Sequence, residues 1–253
     1  MKIMRRVFIL CFFSTFCIPI MISQNENMDV CGHFTKRIEY NLIALFDSYN
    51  LESKGVIEKM LLRDFNAPIE FFYAPSFEGA SAFRIVRDSL KTYYILEVRY
   101  ISNYEEARKE AAKDDKSIGL SGSSILSTTD DVKQLIIEHN RKEFAKIHEE
   151  YLKRIIVKTI SFRISDPFAE KIYNNMVSII DNFKGRGVPP LIMDGYSVTF
   201  RTVVEDEVWS LNIHMPNGNA LKISDLCRQI ITDALAGKLD EEKYVSELDS
   251  FEK

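Results

Sequence analysis

In residues 194–218, "DGYSVTFRTVVEDEVWSLNIHMPNG", apolar and polar side chains alternate with a period of two along two successive runs. In the first run the even positions are apolar: Tyr196, Val198, Phe200 and Val204. In the second the odd positions are: Trp209, Leu211, Ile213 and Met215. Directly opposed residues of an antiparallel pair point to one face. Even must therefore oppose odd, which requires an even number of loop residues. A turn at Glu205-Asp206 meets this condition. It predicts Phe200 opposite Leu211 and Val198 opposite Ile213 on an inner face. On the outer face it sets Arg201 against Ser210, Thr199 against Asn212 and Ser197 against His214. A one-residue slip would exchange the faces, so the register is strongly specified. Phe200 and Trp209 are expected in the core, and Arg201 and His214 exposed or lining a cleft.

The outer face holds the residue types that sites use. Arg201 and Asn212 with His214, joined by Arg163 from an earlier strand, are the candidate binding residues, the two arginines acting as anion-reading forks. The same pattern is what the wetted side of any antiparallel sheet looks like, and that reading has the greater prior. Asp194-Gly195 reads as a turn before the strand rather than as a catalytic base.

Regular elements flank the hairpin on both sides. Residues 156–164 put Ile156, Ile160, Phe162 and Ile164 on one strand face. A helix follows, with Asp166 as N-cap, Pro167 in its first turn, a stripe of Phe168, Ile172, Met176, Ile179 and Phe183, and Gly185 at its end. Beyond the hairpin, a helix is expected from the N-cap Ser224 to Gly237, then a last one over 241–251. In the N-terminal half, Ile38, Leu42, Leu45, Phe46 and Tyr49 predict a helix over 35–50. A short helix over 55–63 and three strands within 69–101 come next. Asn103 can cap a charged helix over 104–115, and a long charged helix spans 131–153. Helices packed on antiparallel segments make an α+β fold, with β-α-β-β-α in the C-terminal half.

Four segments result: a leader over 1–23, an α+β half over 24–115, a linker over 116–130 and a second α+β half over 131–253. The linker is small, polar and without period, which predicts mobility. In the leader, Lys2, Arg5 and Arg6 precede an apolar run over 7–22, the pattern of an export signal. That run is short for a membrane helix of roughly 20 residues. The expected location is secreted or periplasmic, with no transmembrane segment after the leader is removed. Of four cysteines, Cys31 and Cys227 would remain, and an oxidising compartment predicts a Cys31–Cys227 disulfide.

Charge narrows the partners. The chain has a formal charge of −4, and loss of the three basic leader residues leaves 30 basic against 37 acidic, or −7. That argues against nucleic acid, whose binding needs a basic face. No phosphate loop, dinucleotide fingerprint, nucleophile elbow or zinc motif occurs, and neither a metal nor a cofactor is expected. His139 and His148, nine residues apart on one helix, lie on opposite sides of it. Phe71-Phe72 and Tyr93-Tyr94 could stack on sugars, although aromatic strand residues are usually core.

Through "DNFKGRGVPP" and the hairpin, the chain resembles uncharacterised exported proteins of gut-type bacteria, mainly over residues 160–235. The resemblance implies export and transfers no functional residue. The function expected is an exported, non-catalytic binding or interaction module for a protein, glycan or small-molecule ligand. The first alternative is a hydrolase-type enzyme in which His214, Arg201 and Asp194 meet on the hairpin's outer face. The second is a structural subunit of a cell-envelope complex that docks through the long charged helix.

Overall fold

A computed structural model of the protein describes residues 34–40, 48–63, 67–87, 93–119, 128–183, 194–205 and 207–251. The strands are β1 (Phe34–Tyr40), β2 (Ile69–Pro75), β3 (Ser81–Arg87), β4 (Tyr94–Ile101), β5 (Val157–Ile164), β6 (Tyr196–Val204) and β7 (Glu207–His214). The helices are α1 (Ser48–Leu62), α2 (Tyr104–Ala111), α3 (Asp130–Arg154), α4 (Asp166–Asn182), α5 (Gly218–Leu235) and α6 (Glu241–Asp249). The fold is α+β.

All seven strands join one sheet in the order β1-β7-β6-β2-β3-β4-β5. Every pairing is antiparallel except β1 with β7. The β6–β7 hairpin has the register that parity predicts, with Phe200 opposite Leu211, Val198 opposite Ile213, Arg201 opposite Ser210 and Ser197 opposite His214. The strands of the two halves are interleaved, because β6 of the second half pairs with β2 of the first, and β5 with β4. Residues 116–130 therefore connect elements of one sheet.

One face of that sheet is a conventional apolar core. Phe71, Phe83, Leu96, Val98, Val198, Phe200 and Leu211 are all fully buried there. Over them pack Phe168, Ile172, Met176 and Ile180 of α4, then Ile223, Leu226, Cys227 and Ile230 of α5, and Tyr244 and Leu248 of α6. The opposite face has a smaller apolar cluster. Leu61 and Leu62 of α1 meet Phe72, Ala80, Ala82 and Ile101, with Tyr104, Tyr151 and Ile155 at its margin. Strands β2 and β6 run between these layers and are buried on both sides over most of their length, so the outer face of β6 is not a wetted one, while Asn212 and His214 of β7 are half-buried.

Tertiary context changes several local expectations. Residues 34–40 form a strand rather than the start of a helix, and the next described element is the helix α1 from Ser48. "FTKRIEY" fits a period of two as well as one of 3.6, and pairing with β7 decides between them. Ser165, not Asp166, caps α4: its hydroxyl accepts from the Phe168 amide at 3.4 Å. Ser224 is not a cap, since α5 starts earlier, after Asn217, and leaves Ser224 fully buried inside the helix. The Asn103 side chain does not cap α2. It brackets the end of α3 instead, donating to the Arg154 carbonyl at 2.9 Å and accepting from the Ile156 amide at 2.7 Å. Trp209 is half-buried against the core and donates its indole N–H to Glu207 at 2.6 Å.

The leader, Cys31, Gly185 and the middle of the linker lie outside the described residues. At the linker's near end the Ile118 amide and carbonyl are held by Asn140 of α3, at 2.7 and 2.9 Å. The expected Cys31–Cys227 disulfide has one end outside the described residues; Cys227 itself is a thiol, 1% exposed, and burial pushes its pKa well up. It lies on the sheet-facing stripe of α5, packed in the core. Among the described residues no helix is long and apolar enough to cross a membrane.

Candidate functional site

On the α1 side of the sheet, register aligns four charged residues on four adjacent strands. Arg201 of β6 pairs with Glu70 of β2, Glu70 with Arg84 of β3, and Arg84 with Glu97 of β4. Arg201 donates to Glu70 at 2.8 Å and to Glu58 of α1. Arg84 donates to Glu97 at 2.7 Å. One row along, Arg99 donates to the Leu61 carbonyl at 2.6 Å and to Thr159 at 3.1 Å, so it satisfies the C-terminal end of α1. Glu70 is 1% exposed, and its second oxygen, Oε1, has no hydrogen-bond partner. Burial pushes its pKa up to about 7, against the pull of Arg201. Burial works against the Arg201 charge too, but Glu58 and Glu70 outweigh it and hold its pKa up. This row is a fastening between α1 and the sheet, buried at Glu70, Arg84 and Arg201 and part-exposed at Glu58 and Glu97.

The residues named from the sequence do not form one site. Arg201 is inside the row at 8% exposure, not on the surface, because α1 brings Glu58 over it. Asn212 donates to Thr199 at 2.9 Å, within the hairpin. His214 Nδ1 lies 3.0 Å from the Ser197 hydroxyl, whose residue is 2% exposed. Arg163 is exposed on β5, with its guanidinium 4.4 Å from the centre of the Tyr93 ring. Three strands separate β5 from β6, so Arg163 and Arg201 stand at least roughly 19 Å apart at about 4.8 Å per strand. Phe71 and Phe72 are core, at 0% and 2% exposure.

Among the described residues a concavity lies on the other face, where the ends of β2, β3 and β4 meet α5. It encloses about 520 Å³, within the usual range of roughly 300–1,000 Å³ for small-molecule clefts. Its floor is a row of paired residues, Tyr73 opposite Ser81 and Ser81 opposite Tyr100, with Ile101 beside them. One wall is the turn bearing Glu78 and Gly79. A Cβ on Gly79 would come within 2.9 Å of the Ile101 carbonyl, so glycine lets the turn close down on β4. The other wall is α5, where Asp225, Arg228, Gln229 and Thr232 recur at helical spacing.

Arg228 is set in place before any ligand arrives. Its guanidinium carbon lies 4.6 Å from the centre of the Tyr73 ring and 4.9 Å from that of Tyr196. Asp225 accepts from its Nη1 at 3.2 Å. The two tyrosine rings are 5.3 Å apart and tilted by 58°. Burial, partly offset by Arg228, raises the pKa of Tyr73, which keeps its hydroxyl protonated and able to donate.

Sequence reasoning missed this cleft. Its helical signal, polar residues at 225, 228, 229 and 232, lies within the helix expected from the sequence but reads there as an ordinary solvated face. The half of the signal on β2–β4 depends on strand pairing and has no local signature. Comparison of the chain with protein-family models, curated proteins and solved structures finds no match.

Proposed function

We propose that this chain is an exported, non-catalytic binding module whose ligand occupies the cleft between β2–β4 and α5. The observation that carries the reading is Arg228, fixed by two tyrosine rings and a carboxylate at the edge of a cleft of about 520 Å³. Such preorganisation lowers the entropy that binding costs. Aromatic surface beside a few convergent polar groups is the usual composition of a ligand site. The basic and apolar leader supports export.

The reading is tested by thermal unfolding of the protein against a panel of small molecules, glycans and peptides. A ligand at about 100 times its Kd should add about 2.7 kcal/mol by mass action. The gain should vanish in Arg228→Ala and in Thr232→Trp, which fills the cleft from an exposed helical position. A gain that survives both changes places the ligand elsewhere and overturns the reading.

The Ser197–His214 hydrogen bond favours a second reading, a hydrolase-type site on the hairpin. Burial of Ser197 weighs against it, since a nucleophile must meet its substrate. Assay of ester, amide and glycoside substrates decides: turnover lost in both Ser197→Ala and His214→Ala, with the fold intact, would establish the enzyme.

A further inference from the structure

The lining of the cleft also speaks to the class of ligand. Two carboxylates, Glu78 and Asp225, and one guanidinium, Arg228, border it, and Arg228 is already paired with Asp225. An anionic ligand would enter against net negative charge. A cationic one would meet Arg228. Most of the remaining groups are neutral formers of hydrogen bonds: the hydroxyls of Tyr73, Ser81, Tyr100 and Thr232, and the Gln229 amide. Gln229 donates its amide N–H to Asp233 at 2.7 Å, which fixes the side chain and turns its carbonyl into a positioned acceptor. Planar groups of this kind, carboxylate, amide and guanidinium, grip adjacent hydroxyls two at a time. Ring surface completes the lining, with Tyr73 and Tyr100 in the floor.

A sugar ring matches this set. Its hydroxyls lie round a rim, and its faces carry C–H groups that rest on aromatic rings. We infer that the cleft takes a neutral saccharide, with Asp225, Arg228 and Gln229 reading the hydroxyl rim and Tyr100 supplying a face. This rests on the reading of the cleft as a ligand site. It adds that the ligand is uncharged and rich in hydroxyls.

Isothermal titration calorimetry of the full chain tests it with three sets of probes: neutral α- and β-linked gluco- and galacto-oligosaccharides, uronic-acid oligosaccharides, and extended neutral peptides. A neutral oligosaccharide should bind best. Its affinity should fall at least tenfold in Asp225→Asn, an exposed and nearly isosteric change that leaves folding alone, and in Tyr100→Ala. Binding of a neutral sugar with the same affinity in both variants overturns the inference, because the sugar then sits elsewhere. A uronic-acid oligosaccharide or peptide that binds more tightly than every neutral sugar, and weakens in Asp225→Asn, overturns the saccharide class and leaves the cleft standing. Silence of all three sets overturns the class as well. The cleft itself then stands or falls on the wider thermal panel with Thr232→Trp.

Discussion

At the scale of single residues, Arg201 shows how burial turns a surface candidate into a structural one. Parity places it on the outer face correctly. Only the arrival of α1, with Glu58, makes that face an interior, and no spacing near residue 201 records it. Arg201→Ala strands Glu58 and Glu70 without their counter-charge and should destabilise the protein by about 3–5 kcal/mol, measured by denaturant unfolding. Glu70 has the opposite character. Its pKa in the fold, about 7, lies above the ordinary 4.5, so the folded chain takes up the proton more readily than the unfolded one. That stabilisation is fully present below about pH 4.5 and is lost as pH rises through 7, on the order of 3 kcal/mol at about 1.4 per pKa unit. Glu70→Gln cannot ionise and should remove this slope. The stability of the variant relative to the parent should therefore rise from pH 5 to pH 8, and a fall over that range contradicts the account. The unpartnered Glu70 Oε1 supports this sign, because an oxygen without a donor is less costly on a neutral acid than on a carboxylate.

Among elements, the hairpin was the most legible, because alternation fixes the faces, the loop parity and the register together. The turn before it follows the same logic. Gly195 sits at φ 115, and a Cβ there would lie 2.2 Å from the Met215 sulfur. Gly195→Ala should cost roughly 1–3 kcal/mol in backbone strain alone, plus the displacement of Met215. An unfolding midpoint equal to the parent's shows that the turn relaxes freely. Two elements were misread for reasons that are also physical. Residues 34–40 satisfy both periods, and a partner 170 or so residues away on β7 chooses the strand. The start of α5 was placed at Ser224, a good capping residue, whereas the chain caps at Asn217 and buries Ser224 with its hydroxyl unpartnered. Capping preference is a weak prior once packing has a stripe to bury. The polar wall of the cleft, Asp225, Arg228, Gln229 and Thr232, falls inside the helix on either boundary, and only the pairing of β2, β3 and β4 shows what it faces.

In the whole molecule, interleaving is the property that no local pattern could give. The leader, the linker and the charged helix mark off two halves in sequence, yet β6 lies between β7 and β2, and β5 completes the edge beside β4. Neither half can keep its share of the apolar core without the other. Unfolding should therefore be a single transition, with Trp209 fluorescence and far-ultraviolet circular dichroism giving coincident midpoints. Two separated midpoints contradict a shared sheet. The same interleaving builds the cleft, whose floor comes from β2–β4 and whose wall comes from α5. The account's central claim, that this is where the ligand sits, is tested most directly by mapping backbone amide shifts in ¹⁵N-labelled protein as the tightest ligand from the thermal panel is added. Saturable shifts centred on Tyr73, Gly79, Ser81, Tyr100, Arg228 and Thr232 are predicted. Shifts centred instead on Ser197, Asn212 and His214, with the cleft silent, would contradict it.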